Sequence, residues 1–165
     1  RFLLPIADTI EPKYLENWLG ENYLGIKIIS GCNYDLMKAC DCLLMASGSA
    51  TLEAGILGRP MVVIYKLNPL TLWIARKLVK VDHFGLVNLV AGARVVPELL
   101  QEEVNPDRMA KEALRYLKEP DYAKAVSERL LKIRGTLGLP GVAERTAKSI
   151  CNDLGLEEAH EKVLS

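Results

Sequence analysis

The chain has 165 residues, half hydrophobic and a quarter charged, which suits one well-buried globular domain and excludes a disordered or fibrous chain. Its 21 Lys and Arg balance 21 Asp and Glu, so no global field draws it to nucleic acid. No apolar run approaches the ~20 residues that span a bilayer, and the cysteines, Cys32, Cys40, Cys42 and Cys151, lack the paired spacing of a zinc site.

Short apolar runs alternate with helical patterns along the chain, the mark of β-α-β units and a parallel sheet covered on both faces. The sequence opens at Arg1 rather than Met, directly inside the first run, as a piece of a longer protein would. Strands are expected over residues 2–7, 26–30, 42–46 and 61–65. Between them, Pro12 suits the first turn of a helix over 12–20 that Gly20 stops, and Asn33 can cap a helix over 34–40. Cys40 and Cys42, flanking Asp41 before an apolar run, read as small buried hydrophobes, and with them goes a reducing, cytosolic setting. A helix over 51–57 should end at Gly58, with Pro60 just beyond.

After Asn68-Pro69 a helix is expected over 70–79, and 81–94 reads mostly as functional loop. From Val96 the character changes. A short helix over 96–100, a helix over 106–118 capped by Asn105, another from Pro120 to about 134, a Gly- and Pro-containing link over 135–141 and a last helix over 142–154 make the C-terminal third all helical. Residues 157–165 read as a frayed tail. The whole is expected to be a single α/β domain with a helical extension over 96–156.

The most informative stretch is the turn Ala46-Ser47-Gly48-Ser49-Ala50-Thr51, placed between a buried strand and a helix. Small residues there leave the helix N-terminal N–H groups unobstructed, which is how many α/β proteins hold a phosphate or diphosphate. Glu53 lies two residues into that helix, where its carboxylate can accept hydrogen bonds from vicinal hydroxyls such as those of a ribose. The plainer alternative is an ordinary turn in which Ser49 or Thr51 caps the helix and Glu53 complements its dipole. Lys66 follows the next strand at the carboxyl edge, where open parallel sheets bind ligands; it meets a phosphate or is a solvated loop lysine. The 70–80 segment sets Arg76, Lys77 and Lys80 beside Trp73, which suits either a helix lying on anionic lipid or a core-packed helix with a basic outer edge. Asn88 stands alone in the glycine-bracketed apolar stretch 84–92, with a hydrogen-bonding task toward either backbone or ligand. His83 has no visible nucleophile or acid partner. No GxGxxG, GxxxxGK[ST], GxSxG or HExxH is present, so dehydrogenase, P-loop, esterase and zincin readings lose their main support.

Ala46–Ala54, Pro60–Lys66, Pro69-Leu70-Thr71, Leu78-Val79-Lys80, Asn88–Gly92 and Val96–Glu103, in that order and spacing, resemble bacterial lipid-A-disaccharide synthases. The resemblance implies a Rossmann-like parallel sheet, the C-terminal half of a GT-B glycosyltransferase with its first strand missing. It implies transfer of 2,3-diacylglucosamine from UDP-2,3-diacylglucosamine to 2,3-diacylglucosamine 1-phosphate, with inversion, without a metal cofactor and with release of UDP. On this chain the diphosphate contacts fall to Gly48, Ser49, Ala50 and Thr51 and the ribose contact to Glu53, all within a UDP-sugar-binding portion spanning 1–95. Asn88 is expected near the donor, and Lys66 as a cationic phosphate contact. The acidic general base is expected on an N-terminal acceptor domain outside this sequence, so the chain alone is expected to be inert. The resemblance further implies a cytoplasmic place at the inner-membrane surface and a homodimer that exchanges C-terminal segments. Another GT-B nucleotide-sugar transferase or an epimerase, and a non-catalytic α/β binding module, are the rival readings.

Overall fold

The four apolar runs become β1 (Leu3–Ile6), β2 (Lys27–Ser30), β3 (Leu43–Ala46) and β4 (Met61–Tyr65), in a computed structural model that describes residues 1–7, 9–20, 25–68 and 83–155. β1 and β2 pair in parallel, Leu3 opposite Lys27, as a two-stranded sheet, while β3 and β4 pair in parallel, Leu43 opposite Met61, within a three-stranded one. Helices α1 (Pro12–Leu19), α2 (Asn33–Ala39) and α3 (Ser49–Ile56) connect them in the expected order. The architecture is α/β with parallel strands throughout, as a Rossmann-like half-molecule requires.

Two expectations are corrected. The helix expected over 96–100 is instead β5 (Glu98–Leu100), followed by a 3-10 turn over Gln101–Glu103. Pro97 disfavours helical backbone at Val96, and the edge of β4 offers a ladder: Val63 N–H donates to Pro97 O at 2.9 Å, and Val63 pairs with Glu98 in parallel register. The stretch expected to be loop contains a helix, α4 (Leu86–Ala91), closed by Gly92 in left-handed backbone at φ 62°. It is only six residues long and depends on packing against α3: a Cβ on Gly55 would stand 2.8 Å from Val87 Cγ2.

β4 is the middle strand, and its Met61, Val62 and Val63 are all fully buried, as a strand covered on both faces must be. Helices α5 (Pro106–Lys118) and α6 (Pro120–Thr136) follow. Asn105 caps α5 as expected, its side chain accepting from Arg108 N–H at 3.0 Å. Tyr116 of α5 donates its hydroxyl to Met61 O at 3.1 Å, and burial pushes its phenol far above the usual range. With Val126, Leu130 and Ile133 of α6 it joins the core built on β4, so these helices share one compact unit, Arg1–Arg134, with the strands. The second unit, Gly135–Ser165, starts at the expected link and contains α7 (Val142–Asp153), which buries none of its residues. All four cysteines are free thiols. Cys42 packs partly buried against the core, and burial pushes its thiol up to about 11.

Helix α3 ends in a motif that also ties it to α6. Gly58, at φ 67°, donates to Gly55 O at 2.9 Å while Arg59 N–H reaches back to Ala54 O at 3.0 Å, the paired bonds of a Schellman C-terminus. Ser127 Oγ donates to Gly58 O at 2.6 Å, and a Cβ on Gly58 would stand 2.8 Å from Leu131 Cγ. Gly58→Ala is therefore expected to lose about 1–3 kcal/mol, from left-handed strain plus displacement of Leu131. Urea unfolding of the two proteins measures it; equal midpoints and slopes would show that α6 moves aside at no cost.

Candidate functional site

The Ser-Gly-Ser turn sits at the carboxyl end of β3, and its hydroxyls have separate tasks. Ser47 extends the ladder by donating its N–H to Ile64 O at 2.9 Å, and its Oγ donates to Phe84 O at 2.9 Å. Thr51 is fully buried, and its Oγ1 donates to Gly48 O at 2.7 Å. Ser49 is exposed. Among the described residues no side chain caps α3, whose N-cap is Gly48 in extended backbone, so the alternative in which Ser49 or Thr51 caps the helix is not the one that forms. The N–H groups of Ser49 and Ala50 have no hydrogen bond among the described residues, as first-turn donors without a cap must. Among the described residues nothing comes within 4 Å of a Cβ placed on Gly48, beside these donors.

Glu53 stands one turn into α3, half-buried. Its carboxylate faces the phenol of Tyr34, in the first turn of α2, and hydrogen bonding and charge from Glu53 raise the Tyr34 phenol above its ordinary value. Sequence reasoning missed Tyr34. The usable signal is its position just past Gly31-Cys32-Asn33, the turn of the preceding β-α unit. Lys66, the first residue beyond β4, is exposed at that edge.

Beside Lys66 the chain is gripped by Gln101. Its side-chain amide accepts from Leu67 N–H and donates to Leu67 O, each at 3.2 Å. Gln101 holds φ 51°, the one non-glycine positive φ among the described residues. A cavity of about 250 Å³ opens here, walled by Tyr65, Leu67, Phe84 and Gln101. The rings of Tyr65 and Phe84 lie 6.2 Å apart, and Phe84 joins this cavity to the Ser47 turn through its carbonyl.

Asn88 has a different place from the one expected of a donor contact. It is fully buried, and its Oδ1 accepts from Val95 N–H at 2.8 Å and Val96 N–H at 3.0 Å. Its Nδ2 donates to Val96 O at 2.9 Å and to Glu98 Oε1 at 2.8 Å. Every hydrogen-bonding position of the amide that a ligand might use is taken, so the backbone task, not the ligand task, is the one the geometry displays. Glu98, which sequence reasoning also passed over, is 6% exposed and accepts from Phe84 N–H and Gly85 N–H, each at 2.9 Å. That carboxylate ties down the two residues that lead into α4, whose own first turn has no side-chain cap. The first turn of α3 also has no side-chain cap, so an anion at the Ser-Gly-Ser turn would meet unfilled donors.

The model of the lipid-A-disaccharide synthetase family matches residues 3–145. The chain belongs to this family. It is similar to the lipid-A-disaccharide synthase of Syntrophus aciditrophicus (strain SB), 46% identical over 148 residues that cover 89% of this chain and 39% of that protein. It is also similar to that of Geobacter sulfurreducens, 39% identical over 94% of this chain and 40% of the relative, and to that of Nitrosococcus oceani, 41% identical over 84% and 36%. The chain thus spans about two fifths of the length of these synthases. The family match includes the turn, Glu53, Lys66, Asn88 and Glu98. It also includes the basic segment with Trp73, Arg76, Lys77 and Lys80, which lies outside the described residues. Among the described residues no helix is long and apolar enough to cross a membrane, and no group of three His, Cys, Asp or Glu converges as a metal site would require.

Proposed function

We propose that this chain is the UDP-binding part of a lipid-A-disaccharide synthase, acting with an acceptor domain outside this sequence. The first turn of α3, with no side-chain cap and no described residue within 4 Å of a Cβ on Gly48, lies at the carboxyl edge of a parallel sheet and carries the reading. The reaction transfers 2,3-diacylglucosamine from UDP-2,3-diacylglucosamine to 2,3-diacylglucosamine 1-phosphate, with inversion and release of UDP. Charge develops on the β-phosphate as the glycosidic bond to UDP breaks. The Ser49 and Ala50 N–H groups and the positive end of α3 offset that charge before it forms, without reorganising, with Gly48 allowing close approach. Ser49 Oγ adds a donor, Thr51 holds the turn through Gly48 O, and Lys66 adds a cation at the same edge. Glu53 accepts from the ribose hydroxyls while Tyr34 orients its carboxylate.

The acyl chains of both substrates place the enzyme at the cytoplasmic face of the inner membrane, with the 70–80 segment as the contact. The exposed Val142, Ile150 and Leu154 at α7 support exchange of C-terminal segments between two copies.

Titrating UDP into the isotope-labelled chain tests the donor site. Shifts are expected at the amides of residues 48–53 and at Lys66, with the Asn88 side-chain amide unmoved. No shift at millimolar UDP would reject the site and leave a binding module with an ordinary turn.

A further inference from the structure

Glu98 is a buried carboxylate facing three N–H donors, those of Phe84, Gly85 and the Asn88 side chain, with no ion-pair partner among the described residues. Burying a charge on one short edge strand is costly, and three aligned donors are what make it tolerable. Two of its contacts define a geometry that packing alone does not need. The Gly85 N–H and the Phe84 carbonyl belong to one peptide unit, and they point in opposite directions because the peptide is trans. Glu98 Oε1 takes the N–H end at 2.9 Å, and Ser47 Oγ donates to the carbonyl end at 2.9 Å. The carboxylate therefore polarises the peptide whose oxygen holds Ser47, the residue that opens the Gly48 turn.

Resting on the donor-site reading above, we propose that Glu98 is a positioning residue for the nucleotide diphosphate. It acts through the Phe84–Gly85 peptide and the Ser47 hydroxyl to fix the turn with the Ser49 and Ala50 N–H groups outward. It does not touch the ligand. Held to Phe84 O, the Ser47 hydroxyl is kept from turning into the helix mouth as a cap, where it would compete with the phosphates. The bond also fixes the direction in which the first-turn donors point, which decides their value to a diphosphate. Gly85 suits the arrangement, since a Cβ there would stand 3.0 Å from Glu98 Oε1.

Glu98→Gln keeps the shape but replaces one acceptor oxygen with an NH2 that must face one of the three N–H donors. Ser47→Ala removes the other end of the relay without disturbing the buried network, and Ser47→Thr restores a hydroxyl. In UDP titrations of the full chain, each of Glu98→Gln and Ser47→Ala is expected to weaken binding about three- to tenfold. The double variant is expected to be no weaker than the weaker single one, because both break the same relay, and Ser47→Thr is expected to bind within about twofold of the unmodified chain. Tyr116→Phe, which removes a hydrogen bond to Met61 far along the chain from the turn, serves as the control: lower stability with unchanged UDP affinity. Should Glu98→Gln not fold, Ser47→Ala and Ser47→Thr carry the test. Unchanged UDP affinity in Ser47→Ala, or losses that simply add in the double variant, overturns the positioning role alone. No UDP response in the unmodified chain overturns the donor-site reading and this role with it.

Discussion

Gly48→Asp is expected to raise stability slightly while lowering the affinity for UDP by about tenfold to a hundredfold. The two effects have opposite signs because they share one cause. Gly48 is the N-cap of α3, with extended backbone that any residue adopts and no atom within 4 Å of a Cβ placed on it. An aspartate there is accommodated without strain, and its carboxylate accepts from the first-turn N–H groups, improving on glycine by a few tenths of a kcal/mol. The same carboxylate then occupies the donors that a diphosphate needs and sets a negative charge about 4 Å from it, a repulsion of about 1–3 kcal/mol in a partly solvated site. Gly48→Ala separates the terms: it adds a Cβ and no charge, and UDP affinity should stay within about threefold of the unmodified chain. Calorimetric titration with UDP and a thermal melt of the same samples supply both numbers. A folded Gly48→Asp chain that binds UDP as tightly as the unmodified one would show that phosphates do not sit at this helix mouth.

The largest loss of stability is expected at Asn88. Removing its side chain strands the N–H groups of Val95 and Val96 and the carbonyl of Val96, and takes one of three donors from the Glu98 carboxylate. All lie at buried residues. A buried group without a partner costs about 1–3 kcal/mol, so with partial relaxation Asn88→Ala should lose about 3–5 kcal/mol, or about 10 °C of melting temperature. Asn88→Asp makes the assignment specific. It keeps the shape and the acceptor for Val95 and Val96, yet sets a second carboxylate against Glu98 where the amide nitrogen now stands at 2.8 Å. It should therefore be no more stable than Asn88→Ala. Urea unfolding checks both, and a loss below about 1 kcal/mol in Asn88→Ala would mean that water enters and satisfies the network.

What the sequence made legible follows from how local each signal is. β3 and β4 are continuous apolar runs, β4 buried along its first three residues, and Gly58, Pro60, Asn105 and Pro106 act on the residues beside them. β5 was hidden because three residues, beginning with a glutamate, show no period; only the neighbouring β4 edge makes them a strand. α4 was hidden because six residues between glycines, five of them apolar, look like loop until Gly55 lets Val87 come close. Within the candidate site, the turn was readable from its small residues, whereas Tyr34 on Glu53 and Glu98 on Phe84 and Gly85 are contacts between distant positions. The run of Glu98, Glu102 and Glu103 carries nothing local to say which one is buried; burial of Glu98 against α4 makes the choice.

The Tyr34 phenol and the Glu53 carboxylate face each other. Among the described residues no strand ladder joins the β1–β2 sheet to the β3–β4–β5 sheet, so these two side chains meet as a tie across a seam in the backbone. Any ligand that draws the Glu53 carboxylate to itself must contend with the tie, and by thermodynamic reciprocity it loosens the tie by the same free energy that the tie subtracts from its own affinity. A ligand bound through Glu53 would thereby be felt at the first turn of α2, where Tyr34 stands.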